Sequence, residues 1–242
     1  MTYEREVKIY GDDVGGVAYV QHMGSDITIV NSARVSFGVE KSSLDGRDKR
    51  LINYLIKHKH TSTLEHNVVT FKFVVPLYVR SQHHRHRTWS YNEISRRYTD
   101  KDLRFYEPSQ FRTQHESNRQ ASNPEKLINP NLAESYPSAL LPSSNSYASE
   151  EIVWHHKKSL KLFNKLIKAG VCREQARGVL PQNLYTEYYG TVNLNNLLKF
   201  ISLRTHEGAQ WEIQQAAKAC LEIATDLWPV AVSSYRKIRG EV

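Results

Sequence analysis

Between Asp45 and His60 the apolar residues Leu51, Ile52, Leu55 and Ile56 recur three and four positions apart, with charged residues between them. That spacing predicts an amphipathic helix ending near Lys57. Immediately afterwards the period changes. Val69, Phe71, Phe73 and Val75 alternate with Thr70, Lys72 and Val74, which predicts a strand with one face on a core, stopped at Pro76. Pro76 also suits the start of a short helix, Leu77 to His84, at whose end Gln82, Arg85 and His86 share a face. Thr88 to Arg97 follows neither period and reads as a loop or turn.

From Pro108 to Ser149 the composition shifts to Ser, Asn, Pro and Gln with few large apolar residues, the pattern of a partly disordered surface excursion without chemistry of its own. A long helix is predicted from about Glu150 to Ala169. Ile152, Val153, His156, Leu160, Phe163, Leu166 and Ile167 form its stripe and Gly170 is its stop. Two further helical patterns, Asn195 to Leu203 and Ala209 to Leu227, lead to Trp228 and Pro229. Strands early and helices late predict an α+β fold. No internal repeat or linker divides the chain, so residues 1–242 are expected to form a single domain carrying the insertion at about 108–149.

With 242 residues and 40% hydrophobic content, the chain is long enough to bury a full core. Nothing in it approaches the roughly 20 apolar residues of a membrane-spanning helix, and the start, MTYEREVKIY, is too polar for a signal peptide. Cys172 and Cys220 lie far apart and have no CxxC partner, which argues against a disulfide scaffold or a zinc ribbon and fits a reducing, cytoplasmic setting. The net charge of +8 suits either a nucleic-acid binder or an enzyme whose substrate and cofactors carry phosphates.

The positive charge is densest in QHHRHRTWSYNEISRRY, Gln82 to Tyr98. Burying such a run without partners would cost several kcal/mol for each ion, so it must face solvent, acidic groups or a polyanionic ligand, phosphate above all. Within it Arg85, His86 and Arg87 are followed, after seven intervening residues, by Ser95, and Ser90, Asn92, Glu93, Ser95, Arg97 and Tyr98 fill the inner pattern. The segment resembles the signature of the flavin-dependent thymidylate synthases, the ThyX family.

Four other segments carry the same resemblance in the same order. They are ARVSF, Ala33 to Phe37; the stretch with His60, Ser62, Glu65 and His66 ahead of the predicted strand; ARGVLPQNLYTEYYGTVNLN, Ala176 to Asn195; and FISLRTHEGAQWEIQQ, Phe200 to Gln215. The resemblance covers roughly residues 30 to 100 and 150 to 230. It implies a ThyX-like fold, a mixed or antiparallel sheet with helices. It also implies reductive methylation of dUMP to dTMP, with 5,10-methylenetetrahydrofolate giving the carbon and NADPH-reduced FAD the hydride, in a homotetramer whose active sites are shared between subunits.

Carried over position by position, Arg204 becomes the residue that meets and activates the pyrimidine. Ser62, Arg85, His86, Arg87, Glu93, Asn193, Leu194, Asn195 and Lys199 become flavin contacts, and Ser36 is brought near the flavin. Gln82, His83, His84, Arg85, Glu93, Ile94, Ser95, Arg96, Arg97, Arg177 and Arg204 are assigned to dUMP, with Arg85, Arg97 and Arg177 on its phosphate, where a guanidinium fork outperforms a lysine. Two places depart from the family. Lys199 stands where Asn or His is usual, and His83 and His84 stand where aromatic or apolar residues are common, which limits any carry-over there to backbone contacts.

Other readings of the same residues stay open at this point. Ser62 could be a helix cap, and Arg204 a surface partner of Glu207. Tyr185, Tyr188, Tyr189 and Trp211 could stack on a flavin, but aromatic residues at helical spacing fit a core better. His58, His60, His66, His83, His84 and His86 invite a metal, yet there is no HExxH and the neighbouring arginines would oppose a cation, so no metal site is expected. Neither cysteine has the setting of an activated nucleophile. The rival function is a nucleic-acid-binding module that uses the basic, aromatic 82–98 segment. A closer rival is a flavin reductase that does not bind dUMP.

Overall fold

A computed structural model describes residues 4–132 and 146–240, so residues 133–145 of the predicted insertion lie outside the described residues. The chain divides into two compact units, one running to Val74 with Gln82–Asn92 and the chain from Glu187, the other Val75–Ser81 with Glu93–Thr186.

The first unit is built on a five-stranded sheet, β1 (Glu6–Lys8), β2 (Gly16–Met23), β3 (Val68–Pro76), β4 (Ser90–Glu93) and β7 (Tyr185–Asn193), in the order β1-β2-β3-β7-β4. The predicted strand is central β3. Val69, Phe71, Phe73 and Val75 are all fully buried, as their alternation demands. On the other face Lys72 pairs with Glu187 at 2.7 Å and Thr70 shares a hydroxyl hydrogen bond with Thr191 at 2.9 Å. β2 runs antiparallel to both β1 and β3, with a register shift between Tyr19 and Gln21.

Helices α1 (Asp26–Arg34), α2 (Gly46–Lys57), α6 (Leu194–Arg204), α7 (Trp211–Leu227) and α8 (Pro229–Ile238) complete this unit. α2 is the predicted amphipathic helix. Asp45 caps it by accepting from the backbone N–H of Arg47 at 2.7 Å and of Asp48 at 3.0 Å. α7 packs on β2 and between α6 and α8, burying Ile213, Ala217, Cys220 and Ala224 along one stripe. α8 escaped the sequence reading, which ended at Pro229. Proline at its first position and the buried carboxylate of Asp26, which accepts from the N–H groups of Val230 and Ala231 at 2.8 and 2.9 Å, explain its start.

In the second unit α4 (Ala148–Lys168) supplies the predicted stripe. Phe163 packs with Ala176, Leu180 and Leu184, and Leu160, Leu166 and Ile167 close around them. His156, buried on the same stripe, shares a 2.8 Å hydrogen bond with Glu107. α3 (Leu77–His83) begins in this unit, and the short α5 (Arg173–Ala176) precedes Arg177.

Three expectations are corrected. Residues expected in a loop include β4, a four-residue edge strand too short for its alternation to register. The polar excursion contains an antiparallel hairpin, β5 (Phe111–Gln114) with β6 (Ser122–Ile128), which buries little side-chain surface and so leaves no hydrophobic signal. Tyr185, Tyr188 and Tyr189 lie on a strand. Tyr185 and Tyr188 are core, as expected, but Tyr189 is 40% exposed because alternate residues of a strand face opposite sides.

Candidate active site

Pocket-forming residues in the second unit come from distant parts of the chain. α3 supplies Leu77 and Arg80, the end of β4 and the following turn supply Glu93, Ile94, Ser95 and Arg96, and the segment after α5 supplies Arg177 and Gly178. Together with Leu180, Gln182, Leu184 and Thr186 they line a cavity of about 500 Å³, a volume in the range of small-molecule sites. Five of these residues, Glu93, Ile94, Ser95, Arg96 and Arg177, are positions the resemblance assigns to dUMP.

Each has a distinct local setting. Glu93 Oε1 accepts from Thr186 Oγ1 at 2.6 Å and lies 3.1 Å from Arg80 Nε. Arg96 is held in place by donating to the carbonyls of Lys101 at 2.7 Å and Tyr185 at 3.4 Å. Ser95 Oγ accepts from the Arg97 N–H at 3.3 Å, and its carbonyl accepts from the N–H groups of Tyr98 and Thr99, shaping a tight turn. Arg177 is exposed, and its guanidinium has no partner among the described residues, so all five of its N–H donors are available to a ligand. Arg97 does not line the cavity; it is exposed, lies 3.8 Å from Glu174, and extends over the Tyr98 ring.

In the first unit, α3 ends at His83 and the chain continues in turns closed by His86 N–H to His83 O at 2.9 Å and Trp89 N–H to His86 O at 3.3 Å. The Tyr91 hydroxyl spans this bend, donating to His83 O at 2.9 Å and His86 O at 3.1 Å. The His83 ring is 2% exposed, shares a 2.8 Å hydrogen bond with the Tyr188 hydroxyl, and packs against Phe73, Trp89 and Phe200. Burial, reinforced by His86, His84 and Arg204, holds it well below the ordinary histidine range, so it is neutral. His84 stacks on Tyr91 at 4.1 Å.

Arg204 is the last residue of α6, and its Nε donates to His86 Nε2 at 2.9 Å. A guanidinium can only donate, so His86 accepts through Nε2 and carries its proton on Nδ1. Burial first and the Arg204 charge second pull His86 down to about 4, which keeps that lone pair available at neutral pH. Arg204 Nη2 also donates to Gln82 O at 3.4 Å, and Nη1 has no partner among the described residues. The Gln82 side chain donates to Gln210, whose own Nε2 donates to buried Glu212 at 3.0 Å. His86 and Gln82, rather than Glu207, are thus the partners of Arg204.

Segments expected to hold a flavin also converge in this unit. Asn195 Nδ2 donates to Glu65 Oε1 at 2.9 Å, and Leu194 N–H to Asn67 O at 2.8 Å, which brings the Ser62 turn and the start of α6 together. Ser62 is exposed on that turn, while the Asn193 side chain is occupied as the α6 cap, accepting from Asn196 N–H at 2.9 Å. Arg85, Arg87 and Lys199 are exposed and, among the described residues, without side-chain partners. That set of exposed cations suits a diphosphate-bearing dinucleotide, so the residues present fit FAD. Ser36 sits exposed in a turn ahead of Gly38, and its hydroxyl donates to Ala33 O at 3.5 Å.

Sequence reasoning missed Arg80, Thr186, Tyr91 and Gln210. Each acts through a residue that was singled out, and only their proximity in the fold reveals them.

Comparison with known proteins shows what the chain as a whole is similar to. A family model described as "Thymidylate synthase complementing protein" matches residues 19–230. The flavin-dependent thymidylate synthase of Thermus thermophilus is 40% identical over 225 residues, covering 93% of this chain and 77% of that protein. That of Thermotoga neapolitana is 38% identical over 225 residues, covering 93% and 92%. Among solved structures, a UMP/dUMP methylase from Streptomyces cacaoi bound with 5-Br dUMP superposes with a TM-score of 0.78 at 27% identity, covering 96% of this chain and 97% of that one. The same methylase bound with 5-Br UMP gives a TM-score of 0.73 at 28% identity, covering 92% and 93%. None of these relatives is described as a nucleic-acid-binding module. With a family match over most of its length, relatives at this identity and a shared α+β fold, the chain belongs to the flavin-dependent thymidylate synthase family.

Proposed function

We propose that the protein converts dUMP to dTMP with bound FAD, 5,10-methylenetetrahydrofolate as carbon donor and NADPH as reductant. The observation that carries this reading is the cavity of about 500 Å³ lined by Glu93, Ile94, Ser95, Arg96 and Arg177. A guanidinium fork, the Ser95 turn and a carboxylate meet there, groups suited to a nucleoside monophosphate. Arg177 takes the phosphate, and the family resemblance assigns Arg85 and Arg97 to the phosphate as well. Glu93, an acceptor when ionised, takes a sugar hydroxyl. Gln82, His83 and His84 contribute mainly through their backbone.

Arg204 meets the pyrimidine. Its unpaired Nη1 donor offers a positive charge to the ring carbonyl, and a cation at close range lowers a neighbouring pKa by about 1 to 3 units, so negative charge developing on the ring is stabilised and C5 becomes more nucleophilic. His86 fixes Nε and the Gln82 carbonyl fixes Nη2, so the guanidinium is oriented before the substrate arrives. When bound, FAD would supply hydride chemistry for reducing the transferred carbon. Ser62, Arg85, His86, Arg87, Glu93, Asn193, Leu194, Asn195 and Lys199 hold it. Cys220 is not the nucleophile in this reading, since it is buried and burial pushes its thiol up, away from the thiolate form.

The working assembly in this reading is a homotetramer with shared active sites, in the cytoplasm, with residues 1–242 acting as one catalytic domain. No helix among the described residues is long and apolar enough to cross a membrane. The test is an absorbance spectrum of the protein after FAD loading and desalting, followed by dUMP addition and an assay of dTMP formation. Retained flavin bands that shift with dUMP, together with dTMP formation, support the proposal. A colourless protein that carries nucleic acid would favour the binding-module reading.

A further inference from the structure

Glu93 needs help to serve in a cavity built for an anion. A carboxylate beside a phosphate site repels the ligand, and an unanchored side chain must be immobilised before it can accept from a hydroxyl. Arg80, on α3, answers both difficulties. Its Nε stands 3.1 Å from Glu93 Oε1, and the two side chains are only 30% and 24% exposed. Arg80 Nε makes no aligned hydrogen bond, so its hold on Glu93 is that of an opposite charge at close range. Thr186 Oγ1 donates to the same oxygen at 2.6 Å.

Both partners converge on Oε1, and Oε2 has no partner among the described residues. Arg80, Glu93 and Thr186 all line the cavity described above. The carboxylate is thereby gripped by one oxygen from two elements, α3 and β7, and offers the other. Its charge is offset by Arg80, which leaves Arg96 and Arg177 to set the sign of the cavity.

We propose that Arg80 is a positioning residue for nucleotide binding, offsetting the charge of Glu93 and holding its carboxylate so that Oε2 accepts from a hydroxyl of the substrate sugar. The inference rests on the dUMP reading and extends it to a residue outside the recognised motifs. Arg80 acts through Glu93 and does not itself hold the phosphate.

A double-mutant cycle tests this in the full-length, flavin-loaded protein, with Arg80→Met, Arg80→Lys, Glu93→Gln and the combined Arg80→Met/Glu93→Gln variant. The readouts are dUMP affinity from the flavin spectrum, KM and kcat for dUMP, and flavin content. Arg80→Met is expected to raise Kd and KM for dUMP about tenfold, because the Glu93 charge is then left uncompensated beside the phosphate site, with flavin content unchanged. Arg80→Lys should recover part of the affinity because the charge returns. In the Glu93→Gln background the Met substitution should change dUMP affinity by less than about twofold, since its target is gone.

An undiminished effect of Arg80→Met in that background would overturn the proposal and make Arg80 a direct ligand contact. Unchanged dUMP affinity in Arg80→Met would also overturn it. If Arg80→Met does not fold, Arg80→Lys with and without Glu93→Gln reads the same coupling. Failure of the unmodified protein to respond to dUMP would remove the functional reading and this proposal with it, whereas a normal response there with unaltered variants defeats this proposal alone.

Discussion

Replacing His86 with leucine removes the acceptor that orients Arg204 while keeping comparable bulk. The lost contact is a 2.9 Å hydrogen bond to a charged donor, a class of interaction that contributes about 1.5–3 kcal/mol. If the orientation is needed in the transition state, that converts to a fall of about 10- to 150-fold in kcat/KM for dUMP. His86→Gln is the control, because an amide oxygen can reach the position of Nε2 and accept from Arg204. The assay is dTMP formation at varied dUMP, normalised to bound flavin because His86 is also a proposed flavin contact. Turnover by flavin-loaded His86→Leu within about twofold of the unmodified protein would refute the reasoning, as would a glutamine variant no better than the leucine one.

The same histidine predicts a pH dependence. Its folded value of about 4 lies below the roughly 6.5 of an unfolded histidine, so as pH falls the unfolded chain takes up the proton first. Stability from this group is therefore present above about pH 6.5 and is lost towards pH 4. Buried His83, also held low, acts in the same direction. Denaturation midpoints between these limits should fall less steeply in His86→Gln than in the unmodified protein.

Arg177→Ala should weaken dUMP binding about tenfold or more while leaving flavin content unchanged, since it removes a charge-assisted fork; unaltered affinity in a spectral titration would count against the phosphate role. Arg204→Ala should keep flavin and lose turnover, and a variant with normal dTMP formation would remove it from the ring. Gly190→Ala tests the packing under β7, because an added Cβ would lie 3.0 Å from the Phe73 ring and 3.1 Å from the Trp89 ring. Overpacking of this kind costs about 1–3 kcal/mol, visible as a lower urea midpoint, and an unchanged midpoint would show that the rings yield.

The sequence by itself determined the elements whose burial follows one period and the residue types of the site. The alternation of β3 and the stripes of α2, α4, α6 and α7 were legible because each buries one continuous face. The arginines of 82–98, Arg177 and Arg204 were legible because such charge density resists burial and matched a known signature. Edge strand β4, the β5–β6 hairpin and α8 were not, since their stability comes from a neighbouring strand or from the carboxylate of Asp26, far away in sequence.

Tertiary structure alone decided which residue holds which. That Arg204 rests on His86, that Asn195 reaches Glu65, and that Arg80 and Thr186 grip one oxygen of Glu93 depend on contacts across 118, 130, 13 and 93 positions. A motif records the residues chemistry requires. The hydrogen bonds that orient them are made by chain folding, which brings together side chains that no local period links.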